Sequence, residues 1–463
     1  MSVTRLDPSS MRALQRDLEG QAIMPGDSGY DRSRAVYNTM HDRWPSLVVR
    51  AAGTADVALT VRFAAEEGLM LAVRGGNHSM RGQGSCDDGV VLDLSAMRTV
   101  EVDPDERVAR VGGGATWADV NSATHDRGLA TTGGLISTTG VGGLTLGGGF
   151  GYLTRRLGLA CDNLAAVELV TARGEVLTVD AERAPDLFWA IRGGGGNFGV
   201  VTSFTFRLAP VRAVLAGPLV FPADPEVLLR YDEALQAAPR DLSAVLGLTL
   251  APPMPFLSRA RHGTPCAVVI ACWSGSAPAG PDALRQLEHL GPLWGQAVRQ
   301  MPYPELNTLF DGLLPAGLRH YWKSRMVHRL GAEDVEPYIE HGRDTPTIES
   351  GIFFYPVDGA AHDVGVSETA WPHRDARYVV GFHGSCRDPG HDGAIRSYVK
   401  RAHRDCASSA LPGGYVNFVS DDEVAATDVY GENTARLLEV KRAYDPHNLF
   451  CLNANLDPDG VPA

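Results

Sequence analysis

The chain has 463 residues, about three times a typical domain length, so we expect two or three packing units. Hydrophobic residues make up 44% and charged residues 21%, which are globular averages, and no apolar run reaches the roughly 18 residues of a membrane span. These values exclude a transmembrane or wholly disordered protein, and the net charge of −13 disfavours nucleic acid or an anionic membrane as the partner.

The first 20 residues lack the basic start and the apolar stretch of a secretion signal, so we expect a cytoplasmic protein. The seven cysteines are spread widely and show neither C-x-x-C nor a Cys/His spacing suited to zinc. We therefore expect free, mostly buried thiols and no bound metal.

The first half of the chain alternates short strands with a few helices. Helical patterns occupy 55–67 behind a Thr54 cap, 117–127 behind Thr116, and 185–191. Strand patterns occupy 46–51, 70–74, 89–94, 99–103, 107–111, 165–171, 175–180 and 200–207. This order predicts a mixed α+β domain.

After Pro210 the pattern changes. Strand patterns occupy 215–221, 244–251, 266–273, 319–327, 351–356 and 377–385. Helical patterns occupy 225–237, 281–290, 333–342 and 393–407. This part predicts one antiparallel sheet backed by helices, and hence a second domain.

Glycine clusters at 75–89, 112–114, 133–151 and 193–199. The segment 133–151 is too rich in glycine for ordinary secondary structure, and bare backbone lets N–H groups converge on a diphosphate. A second such loop, Arg74–Ser79, follows the strand pattern at 70–74. Two loops favour a large diphosphate cofactor, while the alternative for 133–151 is a flexible loop or a glycine-packed crossing.

Two common nucleotide motifs do not explain these clusters. Gly194-x-Gly196-x-x-Gly199 matches the dinucleotide fingerprint formally, but that motif requires a strand before it and a helix after it, and here the order is reversed. The P-loop pattern G-x-x-x-x-G-K-[ST] does not occur in the sequence. Neither a Rossmann nor a P-loop site is expected.

Several long motifs resemble one known family. They are RGGNHS at 74–79, the run at 134–164, DLFWAIRGGGGNFGVVTSF at 186–204, YVNF at 415–418 and YDPHNLF at 444–450. Together they resemble the berberine-bridge-enzyme-like flavoproteins, which are FAD-linked oxidases with the vanillyl-alcohol-oxidase type of fold. The resemblance covers about 45–207 and 413–458, whereas 208–411 is similar only loosely, chiefly at WPHRDARY.

The resemblance implies an α+β protein with a two-part PCMH-type FAD-binding domain, 1–207 and 412–463, and an inserted substrate-binding domain, 208–411. FAD would lie between the two, with its pyrophosphate on the backbone of 74–79 and 134–143 and its isoalloxazine facing the inserted sheet. The residues expected to bind FAD are Arg74, Gly75, Gly76, Asn77, His78, Ser79, Gly134, Ser137, Thr138, Thr139, Gly140, Gly142, Gly143, Leu144, Val201, Tyr415, Asn417 and Asn453.

His78 occupies the place at which this family bonds a histidine covalently to the 8α-methyl carbon of the flavin. A neutral imidazole can attack the electrophilic 8-methylene tautomer of FAD, so the bond is chemically reasonable. Many members add a second bond through a cysteine, but this chain has Ile136 at that position. We therefore expect attachment through His78 only, and we interpret Cys161 as a buried thiol.

The family's catalytic tyrosine pair is replaced here by Phe150 and Phe418, and neither can accept a proton. Candidates for the base must come from the strands of the inserted sheet, where alternation decides which side chains share a face. Tyr321 shares a face with Lys323, and Gly381 shares one with His383. The catalytic candidates are His383, Tyr355 and Lys323, of which the first two have the better acid/base chemistry.

The expected function is an FAD-dependent oxidase that removes hydride from a small organic substrate to flavin N5 and passes the electrons to O2. Its expected role is a tailoring step of bacterial secondary metabolism. One alternative is an oxygenase that uses an oxygen adduct at flavin N5. Another is a flavoprotein that sequesters a reactive small molecule with little turnover.

Overall fold

The computed structural model describes residues 8–420 and 425–460. Up to residue 130 the elements are α1 (Pro8–Asp17), β1 (Gln21–Ile23), α2 (Tyr30–Arg34), β2 (Leu47–Arg50), α3 (Thr54–Glu66), β3 (Leu71–Arg74), β4 (Val90–Asp93), β5 (Val100–Asp103), β6 (Val108–Gly112), α4 (Trp117–His125) and β7 (Leu129–Ala130). Up to residue 210 they are α5 (Val141–Leu146), α6 (Thr154–Leu157), β8 (Leu164–Val170), β9 (Val176–Asp180), α7 (Pro185–Ile191), β10 (Val200–Arg207) and β11 (Ala209–Pro210).

The second half of the chain continues this alternation with longer strands. Its elements up to residue 306 are β12 (Val214–Pro222), α8 (Pro225–Ala237), β13 (Leu242–Leu250), β14 (Pro265–Trp273), α9 (Gly280–Glu288), β15 (Gly295–Gln296), β16 (Arg299–Met301) and α10 (Tyr303–Leu306). The remaining elements are β17 (Arg319–Val327), α11 (Val335–Arg343), β18 (Gly351–Pro356), β19 (Tyr378–Cys386), α12 (Asp392–Asp405), β20 (Ala410–Leu411), α13 (Ala426–Tyr430) and α14 (Thr434–Tyr444).

Two sheets are built from the first half of the chain. One has the order β1-β2-β4-β3, in which β2, β4 and β3 run parallel, and the other has the antiparallel order β5-β6-β10-β8-β9. The strand and helix patterns predicted there are confirmed to within one or two residues at most ends. The α+β fold class is also confirmed.

The caps of two helices show how local sequence sets their starts. Thr116 and Asp119 form a capping box at the start of α4, as the Thr116 prediction requires. The prediction for Thr54 is wrong, because α3 begins at Thr54 and its N-cap is Gly53. The Thr54 hydroxyl instead donates to the Glu168 carboxylate at 2.7 Å, and this bond ties α3 to β8.

A nine-stranded antiparallel sheet occupies the second half, with the order β15-β12-β14-β13-β18-β19-β17-β20 and with β16 pairing β12. Helices α8, α9, α11 and α12 pack on one face, where Phe354 and Phe382 belong to a large apolar core. Because strand side chains alternate, Phe353 and His383 point to the opposite face. That second face borders the cleft described below.

The C-terminal segment returns to the first half of the molecule. Helix α14 packs against α7, and Tyr430 and Leu437 belong to the same apolar core as Trp189. The Lys441 ammonium is fully buried and donates to the Asn197 carbonyl at 2.9 Å as well as to the carboxylate of its own helix end. Strand β11 pairs with β7, so residues just after 207 still contact the first half. The division into 1–207, 208–411 and 412–463 is retained as a proposal.

Two further features concern the chain as a whole. The cysteines are free, and all are buried except the half-buried Cys451, which confirms the expectation of buried thiols. Within 8–420 and 425–460, the helices are too short or too polar for any of them to cross a membrane.

Candidate functional site

A deep cleft is bordered by both halves of the molecule. Its walls come from the segments 74–84, 134–150 and 195–204, from the nine-stranded sheet, and from the C-terminal segments 415–419 and 450–454. The cleft holds about 2090 Å³ of space between protein atoms, its open mouth included. One half of it is lined by glycine backbone and the other half by aromatic side chains.

Gly76 and Gly140 bring the two glycine loops into backbone contact. A Cβ on Gly76 would lie 2.2 Å from the amide nitrogen of Gly140, and a Cβ on Gly140 would lie 2.3 Å from that of Gly76. Because no side chain fits at this approach, the glycine-packed crossing describes these two positions correctly. The crossing joins the two loops into one continuous surface of the cleft.

Gly142 and Gly143 lie in the first turn of α5, a helix that forms within the segment expected to lack secondary structure. Gly143 is exposed, and a Cβ there would meet no protein atom within 4 Å, so its backbone faces open cleft. A Cβ on Gly142 would make ordinary contacts, at 3.5 Å to the carbonyl oxygen of Gly113. Neither glycine has a positive φ. Their importance therefore lies in access to the backbone and not in conformational strain.

Three of the residues expected to bind FAD use their side chains to hydrogen-bond other protein groups. The guanidinium of Arg74 is buried and donates to backbone carbonyls of neighbouring loops, including that of Gly84 at 2.9 Å. Both the amide and the hydroxyl of Ser137 donate to the Asp311 carboxylate, and Ser137 does not line the cleft. Thr138 lies outside the cleft lining as well, although it reaches His78. Arg74 and Ser137 follow one rule, that buried donors in loops first satisfy nearby carbonyls and carboxylates.

His78 is presented at the cleft by a left-handed turn. Asn77 has a φ of 64°, which asparagine tolerates, and its Nδ2 donates to the Ala35 carbonyl at 2.9 Å. Nε2 of His78 lies 2.9 Å from Oγ1 of Thr138, and the imidazole stacks on the Tyr37 ring with centroids 4.0 Å apart. The imidazole is half-buried, and burial lowers the pKa of His78 to about 4. It is therefore neutral at physiological pH, the state that a nucleophile requires.

Phe150 and Phe418 lie side by side in the aromatic half of the cleft. Their ring centroids are 5.6 Å apart in an edge-to-face arrangement. Phe150 also contacts the rings of Tyr355 and Tyr415, at 5.1 and 4.7 Å. The Tyr415 hydroxyl accepts a hydrogen bond from Nδ2 of Asn417 at 2.9 Å. This wall offers flat apolar surface with few polar groups.

His383 faces the cleft from β19. Its imidazole stacks on the Trp322 ring with centroids 3.8 Å apart, and it lies over Gly381, where a Cβ would be 2.4 Å from its Nε2. Nε2 is buried and has no hydrogen-bond partner among the residues that the structure describes. Burial, with a smaller effect from nearby His320, lowers the pKa of His383 well below its ordinary value. Burial raises the pKa of Tyr355. His383 is therefore neutral and Tyr355 protonated at physiological pH.

Lys323 does not line the cleft, which corrects its selection as a catalytic candidate. On β17, Trp322 lines the cleft, and the neighbouring Tyr321 belongs to the core on the helix side. The guanidinium of Arg396 on α12 lies 4.9 Å from the centroid of the Tyr321 ring. Since Lys323 shares a face with Tyr321, it points toward the helices and away from the cleft.

Apart from Ser137 and Thr138, the residues expected to bind FAD all line the cleft. They are Arg74, Gly75, Gly76, Asn77, His78, Ser79, Gly134, Thr139, Gly140, Gly142, Gly143, Leu144, Val201, Tyr415, Asn417 and Asn453. Ile136 lines it too, whereas Cys161 is buried elsewhere, with its Sγ 3.6 Å from the Asp162 carboxylate. Gly196 and Gly199 from the formal fingerprint, and Gly195 between its glycines, also line the cleft.

Sequence reasoning missed several cleft residues. Tyr37 lies before the first predicted strand and carries no periodic signal. Trp322 was accessible to the alternation argument, since it adjoins Lys323 on the same strand. Glu349 also lines the cleft, and its carboxylate pairs with the exposed Arg387 at 3.2 Å. It precedes β18 in a loop where no pattern distinguishes it from a surface acid.

The cleft fits FAD in both of its halves. The glycine half has the bare backbone that a diphosphate needs, and a side chain at 143 would fill part of that space. The aromatic half begins at neutral His78 and has the flat walls that a ring system needs. The lining of each half therefore suits one part of the cofactor, the diphosphate in the glycine half and the ring system in the aromatic half.

Two family models match the chain: an FAD binding domain over residues 45–180, and "Berberine and berberine like" over residues 414–457. An FAD-linked oxidoreductase of Dictyostelium discoideum is 30% identical over 454 residues, covering 95% of each chain. The (R)-6-hydroxynicotine oxidase of Paenarthrobacter nicotinovorans is 31% identical over 467 residues, covering 98% of this chain and all of that one.

The fold agrees with these matches. The crystal structure of 6-hydroxy-D-nicotine oxidase from Arthrobacter nicotinovorans superposes with a TM-score of 0.83 at 28% identity, covering 96% of this chain and 98% of that one. The sequence motifs, the cleft and the full-length relatives of this chain all point to one family. The chain belongs to the berberine-bridge-enzyme-like family of FAD-linked oxidoreductases.

Proposed function

We propose that this oxidoreductase holds FAD through one covalent bond to His78 and oxidises a small organic substrate with O2 as the electron acceptor. The observation that carries the proposal is the position of His78, a neutral imidazole where the glycine half of the cleft meets the aromatic half. When bound, FAD supplies the two-electron acceptor for the oxidation.

The chain's own residues support a single covalent bond. His78 is neutral and is held by Thr138 and Tyr37 on different sides, so its ring has a fixed orientation. Ile136 lines the cleft at the place where relatives of this family bond a cysteine, and its side chain cannot form such a bond. A thiol that could replace it, Cys161, lies outside the cleft lining.

We assign the proton acceptor to His383. Its Nε2 is unpartnered within the described chain, and the neutral imidazole has a free lone pair on one of its nitrogens. Tyr355 stays protonated, so its hydroxyl acts as a hydrogen-bond donor to the substrate and not as a base. Phe150 and Phe418 exclude water beside these two groups.

The walls of the cleft favour a flat, largely apolar substrate. Trp322, Phe353, Tyr355 and Phe418 surround His383, with ring centroids between 3.8 and 6.0 Å from its ring. The nicotine oxidase relative is named for 6-hydroxynicotine, whose heteroaromatic ring has this character. We include in the proposal a tailoring role in bacterial secondary metabolism, for which the support is the family resemblance alone.

One purified sample tests the cofactor and its attachment. The protein should show a flavin absorbance spectrum, the yellow colour should stay with the acid-precipitated pellet, and the intact mass should exceed the chain by one FAD. The peptide carrying the flavin should contain His78. Flavin released into the supernatant, or found on another residue, would refute single attachment at His78.

A turnover assay then tests the reaction. With hydroxylated heteroaromatic compounds and alkylphenols under air, an oxidase releases hydrogen peroxide in a fixed ratio to product over many turnovers. Incorporation of labelled oxygen from O2 into the product would show an oxygenase instead. Consumption of at most one equivalent of substrate per protein would show a sequestering flavoprotein.

A further inference from the structure

A second cavity lies beside the main cleft on the same face of the nine-stranded sheet. Its floor is formed by Val245, Gly247, Val268 and Ile270 on β13 and β14, and the loop carrying Met254 and Phe256 forms its side. The cavity holds about 980 Å³ of space between protein atoms, its open mouth included. It is large enough to accept more than a solvent molecule.

The two cavities share a wall close to the candidate base. Phe310, Leu313 and Phe353 line both of them. The Phe353 ring is 5.0 Å from the His383 ring between centroids, and it lies over Gly247, where a Cβ would be 2.6 Å from the ring. The bare glycine therefore gives the Phe353 ring its place between the catalytic part of the cleft and this side pocket.

The loop that carries Phe310 is fixed to the first half of the molecule. Asp311 accepts hydrogen bonds from the amide and the hydroxyl of Ser137, at 3.0 and 2.5 Å. Nδ2 of Asn307 donates to the carbonyl of Gly134, and its Oδ1 accepts from Nδ2 of Asn121 at 3.0 Å. Asn307 and Asp311 therefore fix the chain on both sides of Phe310.

The lining of the side pocket is almost entirely apolar. Thr249 contributes a hydroxyl, which already donates to the Ser350 carbonyl at 2.8 Å. Among the described lining residues, the other side chains are hydrocarbon, aromatic or thioether groups. A ligand there gains burial of apolar surface and no polar contact from a side chain.

We infer that the side pocket binds an apolar extension, an alkyl chain or a second ring, of the same substrate molecule that reacts beside His383. The inference rests on the proposed function for the location of the reacting carbon. Phe310, Leu313 and Phe353 line both cavities, so an extension that passes beside these side chains belongs to the same small molecule as the reacting group. The substrate class is accordingly a flat aromatic or heteroaromatic head with an apolar substituent.

A homologous series of 4-alkylphenols, from methyl to hexyl, tests this by calorimetric binding to the holoenzyme with its flavin already reduced, without oxygen, so that the ligand binds but does not react. Each methylene that enters the pocket should tighten Kd by about fourfold, since burial of one methylene is worth about 0.8 kcal/mol. Val268→Phe fills the floor and should abolish this dependence on chain length. Met254→Trp narrows the pocket from a loop, so it replaces Val268→Phe in this test if that strand variant fails to fold. Val176→Phe, at an exposed position on β9, is the size-matched control and should keep the dependence.

The outcomes separate this inference from the proposed function. A flavoprotein that oxidises substrates but binds all the alkylphenols equally would refute the side pocket and leave the function intact. A steep chain-length dependence without oxidation would refute the function and leave the pocket intact. If Val268→Phe slows only the reaction of the reduced protein with O2, the pocket is an oxygen route and the inference is wrong.

Discussion

The ring of Tyr37 stacks on the imidazole of His78, with centroids 4.0 Å apart and planes 23° from parallel. The Tyr37 hydroxyl donates a hydrogen bond to the Leu314 carbonyl. The Tyr37 ring also stacks on the His320 imidazole, with centroids 5.2 Å apart. Three rings from separate parts of the chain thus form one column that ends at His78, the proposed attachment site. The column fixes the plane of the imidazole before FAD arrives.

Removal of the Tyr37 ring should impair covalent attachment. An aromatic stack contributes about 0.5–1.5 kcal/mol beyond burial, so Tyr37→Ala should slow flavin attachment by about two- to tenfold. Tyr37→Phe keeps the ring, loses only the bond to Leu314, and should attach flavin nearly as well as the wild type. Apoprotein is mixed with FAD and sampled over time, and the fraction of flavin retained after acid precipitation gives the rate. An equal rate in the alanine variant would show that the stack has no positioning role.

The rate of attachment should be nearly independent of pH between 5.5 and 8. Burial lowers the pKa of His78 to about 4, so the imidazole stays unprotonated over this range. An ordinary histidine with a pKa of about 6.5 would be only about one-tenth neutral at pH 5.5, and its rate would fall about tenfold. Apoprotein from riboflavin-starved cells, mixed with FAD and sampled over time, gives the rate. His78→Ala is the negative control and should retain no flavin after denaturation.

Substitutions of two glycines should separate loop packing from cofactor access. Gly76→Ala places a Cβ 2.2 Å from the backbone of Gly140, so we expect a loss of about 1–3 kcal/mol in the free energy of unfolding of the apoprotein. Gly143→Val meets no protein atom within 4 Å of the new Cβ and should leave apoprotein stability unchanged while lowering FAD content. Thermal unfolding of apoprotein and flavin absorbance measure the two effects. Full flavin content in Gly143→Val would remove α5 from the cofactor cradle.

His383 should control flavin reduction, and Lys323 should not. Loss of a general base slows the step that it assists by about 10²–10⁴-fold, so His383→Ala should show that loss in anaerobic stopped-flow reduction while keeping its FAD. Tyr355→Phe should show a smaller effect, because the hydroxyl is a donor whose pKa is raised by burial. The rate of flavin reduction in Lys323→Met should lie within about threefold of the wild-type rate. A large defect in Lys323→Met would contradict the assignment of its strand face.

The pH profile of that reduction gives a separate check. Burial lowers the pKa of His383 well below its ordinary value, so the neutral imidazole persists down to mildly acidic pH. The rate should therefore stay flat from pH 6 to 8 instead of rising through the usual titration of a histidine. A rise centred near 6.5 that disappears in His383→Ala would show that the imidazole is less buried with substrate bound.

Much of this protein follows from local sequence. Strand alternation and helix caps depend on neighbours in the chain, so nearly all the predicted elements of both halves form within a residue or two of the expected ends. The motif RGGNHS and the absence of a cysteine at Ile136 likewise identify the FAD family and the single attachment site that we propose. Chemistry of this kind is encoded in residue type and spacing.

The tertiary structure decided which of these residues meet. Alternation shows that Trp322 and Lys323 lie on opposite faces of β17, but only the packing of α12 on one of those faces turns Lys323 away from the cleft. Tyr37 stacks on His78, which lies 41 residues later in the chain, and Gly76 contacts Gly140 across a sequence separation of 64 residues. Such contacts are set by how distant segments bury their apolar faces against each other, and local patterns do not record that choice.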